Sequence, residues 1–396
     1  MSKTIIIIGA GLAGLSAALQ AAENGCNVKL VSSLPSERAQ SVMAEGGINA
    51  ALNTKDENDS PEEHFTDTIK AACGLADPNA VWGMTQAAPE LVHWLLKLGV
   101  KFNMSGYDDV DLRNFGGQKK KRTAFAQSDT GKQIMTAMID AVRRKEASGM
   151  VERFSHHSFL TLRLCGNICC GCVIRDEYSQ ETVELPGDAV IVATGGMHGL
   201  FGNTTGSLSN TGEVTAELFR LGVPLANGEM IQYHPTTVKC GGKRMLISEA
   251  ARGEGGRLFA MKDGKQWYFM EEKYPELGNL MPRDITAREI WKVSHESEVF
   301  LDMTEISDEI ISNKLSGLAD DCMTYLHKDI RKEPVSVLPG IHYFMGGILV
   351  DEQHRTPIQN LYAAGECCAQ YHGANRLGGN SLLGALYGGR VAAKSA

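Results

Sequence analysis

The chain has 396 residues, with 39 Lys and Arg against 47 Asp and Glu, a formal net charge of −8. At roughly 100–200 residues per domain this is two or three domains with length for a large core, and 43% hydrophobic with 22% charged residues excludes a disordered chain. The acidic balance offers no basic face for nucleic acid or an anionic membrane, and leaves room for a small anionic substrate held by a few buried arginines. Glycine stands out at 43 residues, about 11% against a usual ~7%, which points to tight turns and close backbone approaches to a ligand.

Residues 4–22 are almost wholly apolar and follow Lys3, so a signal peptide or membrane span is weighed first. The internal pattern argues against both. Residues 5–8 form a β-branched run of strand length, and Gly9-Ala10-Gly11-Leu12-Ala13-Gly14 follows at once. Residues 15–23 read as a helix closed by Asn24-Gly25, and 28–31 as a second strand. This is a βαβ unit with G-x-G-x-x-G at its turn, the pattern of a dinucleotide site. The first glycine permits the turn, the second admits a pyrophosphate, and the third lets helix pack on strand. The helix N-terminus then faces the phosphates. The acidic residue usual at the end of the second strand is missing, since Leu30-Val31-Ser32-Ser33 stands there. Ser32 either holds the ribose through its hydroxyl or caps a turn.

Asn53 to Glu63 reads as a polar loop, and residues 61–73 and 79–99 as helices with apolar 3.6 spacing. Lys119-Lys120-Lys121-Arg122 reads as a solvated basic loop. The ten cysteines show no secreted disulfide spacing and read as reduced thiols of a cytosolic protein. Cys165, Cys169, Cys170 and Cys172 lack paired C-x-x-C spacing and lie in two predicted strands around Gly166-Asn167, so no metal site is assigned. Residues 189–193 read as a buried strand ending in Thr194-Gly195-Gly196, and Cys367-Cys368 as core packing. Residues 228–338 are richer in charge and Met and suggest an inserted domain, after which the glycine-rich tail resumes the nucleotide domain. No internal repeat or low-complexity linker is present.

Several stretches then carry a family resemblance. They are GAGLAG at 9–14, MAEGGINAAL at 43–52, DSPEEHFTDT at 59–68, RNFGGQKKKRTAFAQSDTG at 113–131 and ATGG at 193–196. They continue with GEMIQYHPT at 228–236, SEAARGEGGRL at 248–258, PRDITAREI at 282–290, HYFMGGI at 342–348, LYAAGE at 361–366 and HGANRLGGNSLLGALYGGRVAA at 372–393. In these, in order and over essentially its whole length, the chain resembles the flavoprotein subunits of fumarate reductase and succinate dehydrogenase, a family that includes L-aspartate oxidase.

The resemblance implies an α/β fold: a Rossmann-like FAD-binding domain of the glutathione-reductase type, residues 1–227 and 339–396, with an inserted α+β capping domain, residues 228–338. On matching positions it places Gly9, Gly11 and Gly14 at the pyrophosphate and Ser32 near the adenosine ribose. Ala44, Gly46 and Gly47 lie close to the flavin, with Gly47 also at the substrate, and Glu366, Ser381 and Leu382 hold the flavin's far end. His234, Ser248, His342 and Arg376 take the substrate carboxylates, Arg376 in bidentate fashion. Arg283 delivers a proton to one alkene carbon while flavin N5 delivers hydride to the other. Guanidinium rarely gives up its proton. The family's answer is a relay through Glu249 and Arg252, three residues apart and on one face if the segment is helical.

Three departures from the family pattern stand out. Gln40 occupies the position of the histidine that bonds flavin covalently, so noncovalent FAD is expected, with a lower potential that favours fumarate reduction. The family's T-G-D-G is Thr211-Gly212-Glu213-Val214, which leaves a flavin contact by Glu213 open. The chain stops at Ala396, where complex-forming members continue into a C-terminal helical domain. One dinucleotide fingerprint and no ferredoxin-like cysteine spacing leave the electrons to an iron–sulfur or other electron-transfer partner, a quinol-linked complex or a diffusible reduced flavin. The expectation is a cytoplasmic flavoenzyme, or one held at a membrane only through a partner, that reduces fumarate to succinate, with succinate oxidation as the reverse. The alternatives are an L-aspartate oxidase and a flavoprotein subunit active only with its partner.

Overall fold

The computed structural model describes residues 2–106 and 108–396. Its centre is a five-stranded parallel sheet in the order Leu361–Ala363, Ala189–Val192, Thr4–Ile8, Asn27–Ser32, Val151–Ser155. The chain steps from Thr4–Ile8 to a neighbour on one side and later to one on the other. Such a reversal opens a crevice at the carboxyl ends of the strands, where ligands bind in open parallel sheets.

The isoleucine run forms a strand buried on both faces. Successive side chains point to opposite sides. Ile5 and Ile7 join the core made with the helices Leu12–Glu23, Thr130–Ala147 and Asn380–Ser395. Ile6 and Ile8 join a second core beneath the antiparallel strands His157–Cys165, Ile168–Asp176 and Thr182–Pro186. The first helix starts at Leu12, earlier than the apolar pattern predicted, because extended Gly11 is its N-cap. This draws Gly14 into the first turn, where a Cβ would lie 1.9 Å from the Gly9 carbonyl oxygen.

A third core is built from Phe115 and residues between Val238 and Val337. It packs around a four-stranded sheet that includes Arg257–Lys262 and Val299–Asp302, with the helices Arg283–Val293, Asp308–Lys314 and Ser316–Asp321. The chain enters this body along Ile231–Cys240 and leaves along Leu338–Phe344, and these two strands pair antiparallel. Among the described residues no helix is long and apolar enough to cross a membrane.

The basic run departs from its predicted solvated loop. Arg122 is fully buried, with Nη2 donating to Asp59 Oδ1 at 2.8 Å, and Nη1 lies 2.9 Å from Asp67 Oδ2 in an ionic contact not aligned as a hydrogen bond. The acids come from the DSPEEHFTD stretch, whose helix runs Pro61–Ala71 behind the N-cap Ser60. Buried His64 on that helix contacts Asn380 Oδ1 at 2.9 Å, and Asn49 Nδ2 donates to the same oxygen at 2.8 Å. This network fixes the start of the Asn380–Ser395 helix.

Two stability predictions follow from these buried groups. Arg122→Met should lose about 3–5 kcal/mol, because Asp59 is left as an uncompensated buried charge, and adding Asp59→Asn should recover most of it. Equal urea midpoints for wild type and Arg122→Met would contradict this. Burial, with Arg122 adding to it, pushes His64 down to about 3; burial takes His354 to about 4; burial and Arg376 take His372 to about 3. Unfolded histidine titrates near 6.5, so below that pH the unfolded chain binds protons that the fold refuses. Each such histidine removes up to ~1.4 kcal/mol per pH unit as pH falls from 6.5 toward its folded value. The Tm should therefore drop between pH 6.5 and 5, and a Tm unchanged over that span would show these rings protonated within the fold.

Candidate active site

A cavity of about 540 Å³ lies at the carboxyl ends of the parallel strands. Gly9, Gly11 and Ser32 line it from the strand ends, Ala44, Gly46 and Gly47 from the following loop, and Glu366, Ser381 and Leu382 from the C-terminal segment. His234, Ser248, Glu249, Arg283 and His342 line it from the second body and its connecting strands, and Arg376 from the C-terminal segment. Gln40 and Glu213 also face it. Gly9 holds φ +109, and a Cβ there would sit 2.3 Å from the Ala193 carbonyl oxygen, so only glycine makes this turn.

Two of the singled-out residues do not line the cavity. Gly14 seats the helix against Gly9, a Cβ there lying 1.9 Å from the Gly9 carbonyl oxygen. Arg252 lies behind the wall, on the short helix Glu249–Gly253, where its Nη2 donates to Glu249 Oε1 at 3.2 Å.

Glu249 is the centre of the wall. Its Oε2 accepts from Arg283 Nε at 2.9 Å and Nη2 at 2.7 Å, and its Oε1 accepts from Arg252 and from the Gly116 amide at 3.1 Å. Burial alone would raise its carboxyl, but Arg283 and Arg252 hold it below the ordinary value. Arg283 is the first residue of its helix, set by Pro282 at the N-cap. Ser248 caps the short helix, its Oγ accepting from Ala250 N at 3.4 Å, so its hydroxyl proton stays free to donate.

His234 and His342 lie on the outgoing and returning strands, ring centroids 5.1 Å apart. Pro235 has no N–H to give the ladder, and the register breaks between His234 and Thr237. His342 Nδ1 contacts Thr205 Oγ1 at 2.7 Å. Burial, then the Arg283 charge, pushes both histidines well below the ordinary imidazole value, so they are neutral. The Arg376 guanidinium lies 4.6 Å over the Tyr343 ring. Burial, then repulsion from Arg283, lowers Arg376 to about 9.

Two neighbours escaped the sequence reading. Gln232 Oε1 accepts from both Arg376 Nη2 at 2.9 Å and Arg283 Nη1 at 3.2 Å. Its signal was the two-residue step to His234 along one strand. Glu45 lines the cavity, and burial, then Asp321, raises its carboxyl to about 8 against the pull of Arg113. Asp321 and Arg113 are too distant in sequence to have indicated it. Glu366, for its part, accepts from Phe344 N at 3.0 Å and contacts His198 Nε2 at 3.2 Å.

Ser32 Oγ, His234 Nε2 and Arg376 Nε are buried with no partner among the described residues. With the glycine turn at one end and the cations at the other, they fit an elongated dinucleotide with a small anion beside it.

Comparison with known proteins gives the family. The family described as FAD binding domain matches residues 4–382. The chain is 44% identical to the succinate dehydrogenase flavoprotein subunit of Bacillus subtilis (strain 168), over 100% of this chain and 69% of that one. It is 34% identical to the L-aspartate oxidase of Streptomyces coelicolor, over 99% of this chain and 68% of the other. A solved structure of E. coli quinol fumarate reductase FrdA, in a variant form, superposes with TM-score 0.92 at 30% identity, covering 100% of this chain and 69% of that one. The chain belongs to the FAD-binding oxidoreductase family of succinate dehydrogenase and fumarate reductase flavoproteins.

Proposed function

We propose that this chain interconverts fumarate and succinate with noncovalent FAD, with fumarate reduction favoured. The observation that carries the reading is buried Glu249 between Arg283 and Arg252, beside Arg376 and two neutral histidines in the cavity of the glycine turn. Glu249 pairs with both Arg252 and Arg283, and Arg376 has the neutral Gln232 Oε1 as acceptor, so three guanidinium groups meet one carboxylate. Two cations complement a dicarboxylate, which needs two strong anchors.

FAD, when bound, supplies the two-electron hydride chemistry. Gly9, Gly11 and Gly14 would hold its pyrophosphate, Ser32 would offer its hydroxyl to the ribose, and Ala44, Gly46, Gly47, Glu366, Ser381 and Leu382 would hold the flavin. Gln40 has an amide where relatives of the family carry a flavin-linking imidazole, which supports noncovalent attachment. Arg376 orients one substrate carboxylate, and neutral His234 and His342 with Ser248 donate hydrogen bonds without adding charge. Arg283 donates the proton at its guanidinium, and Glu249, bonded to two of its nitrogens, returns one drawn through Arg252. The electrons come from an electron-transfer partner, such as an iron–sulfur subunit.

Arg283→Lys keeps a cation but loses the forked contact with Glu249. It should lower kcat at least ~100-fold, the usual scale of a positioned proton donor, with FAD content unchanged. A viologen-linked fumarate assay returning near-normal kcat would remove Arg283 from the acid role. The substrate is tested anaerobically: fumarate should reoxidise the reduced flavin, and L-aspartate should leave the oxidised flavin band unbleached. Bleaching by aspartate would instead make the protein an oxidase, with Arg283 abstracting a proton.

A further inference from the structure

We infer that Cys165 and Cys170 are a reversible dithiol–disulfide pair, oxidised by low-molecular-weight disulfides, at the tip of the surface hairpin. Their sulfurs lie 2.9 Å apart, about 0.9 Å longer than the ~2.05 Å of an S–S bond. Among the described residues no other two cysteine sulfurs are bonded to each other.

The hairpin geometry explains the approach. The strands His157–Cys165 and Ile168–Asp176 pair Cys165 with Ile168 and Leu164 with Cys169. Alternate residues share a face, so Cys165, Ile168 and Cys170 project together. Ile168 is 40% exposed, whereas Cys169 is buried on the opposite side. The ladder shifts register between Leu162 and Leu164, and the Cys170 thiol donates to the carbonyl of bulged Arg163 at 3.3 Å. Strand twist at such a bulge draws the diagonal pair together.

The two thiols have distinct surroundings. Cys165 is exposed and open to an incoming disulfide, while Cys170 is half-buried. The bond to Cys165, then burial, raises the Cys170 thiol, and Arg163 acts the other way. The Cys165 thiolate attacks one sulfur of the disulfide, the other leaving as a thiolate that is protonated. Cys170 then releases its proton to water and attacks Cys165 Sγ, expelling the second small thiol. Two protein thiols are oxidised to one disulfide and one external disulfide is reduced to two thiols. The reaction is independent of the flavin cavity, which neither cysteine lines. It does close the turn that clamps the loop before Leu361–Ala363. There Gln359 N donates to the Asn167 carbonyl at 3.0 Å, and Cys169 N to the Gln359 carbonyl at 2.9 Å.

The test treats the reduced, FAD-loaded chain with oxidised glutathione, quenches with acid, and maps peptides without reductant. The wild type should yield the Cys165–Cys170 peptide lighter by two hydrogens, restored by dithiothreitol. Cys170→Ser should stop at a glutathione adduct on Cys165, and Cys165→Ser should leave Cys170 unmodified. A stable glutathione adduct on Cys165 of the wild type, or both thiols left free, would overturn the assignment.

Discussion

The carboxylate of Glu249 is the constraint on which the site depends. Taking such a charge out of water costs several kcal/mol, recovered only when the partners are well placed and every lone pair is used. Here four donors reach its two oxygens: two nitrogens of Arg283, one of Arg252 and the Gly116 amide. Those donors come from three segments far apart in sequence, so none can shift without stranding the charge. Gly116 is required as well, since a Cβ there would lie 2.5 Å from Glu249 Oε1. Arg283 is therefore held in one orientation before any ligand arrives, which is the preorganisation that a positioned proton donor needs.

The topology supplies the rest. The chain enters and leaves the core between Val238 and Val337 along two strands that pair side by side. His234 and His342, more than a hundred residues apart in sequence, meet on those strands facing the same cavity as the glycine turn. The connection between the bodies is thus itself part of the wall, so movement of the inserted body would change the spacing of the substrate-facing groups directly.

Much of this was legible in the residues. The isoleucine run, the glycine turn and the second strand have local causes: β-branched strand preference, a turn only glycine makes, and alternation. The motifs of the family pointed to His234, His342, Arg283 and Arg376, which line one cavity, and to Arg252 behind its wall. What escaped were effects made by tertiary contact. Arg122 looked like part of a solvated run, yet Asp59 and Asp67 draw it into the interior. Glu45 carried no local signal, since its protonation depends on burial and on Asp321.

The electrostatics then bear on substrate choice under the proposed reaction. Arg283 and Arg376 share one side-chain acceptor, Gln232 Oε1, which is neutral and cannot compensate both. After burial, repulsion from Arg283 depresses Arg376, with Glu366 and Glu249 acting the other way, so the three arginines leave a local deficit of negative charge beside Gln232. A dianion removes that deficit, whereas a zwitterion such as an amino acid would bring a cation to the same place. Charged histidines would deepen binding of substrate and product alike, and such uniform binding does not speed chemistry. Keeping His234 and His342 neutral gives direction without excess grip and leaves the charge differences to the groups that move the proton.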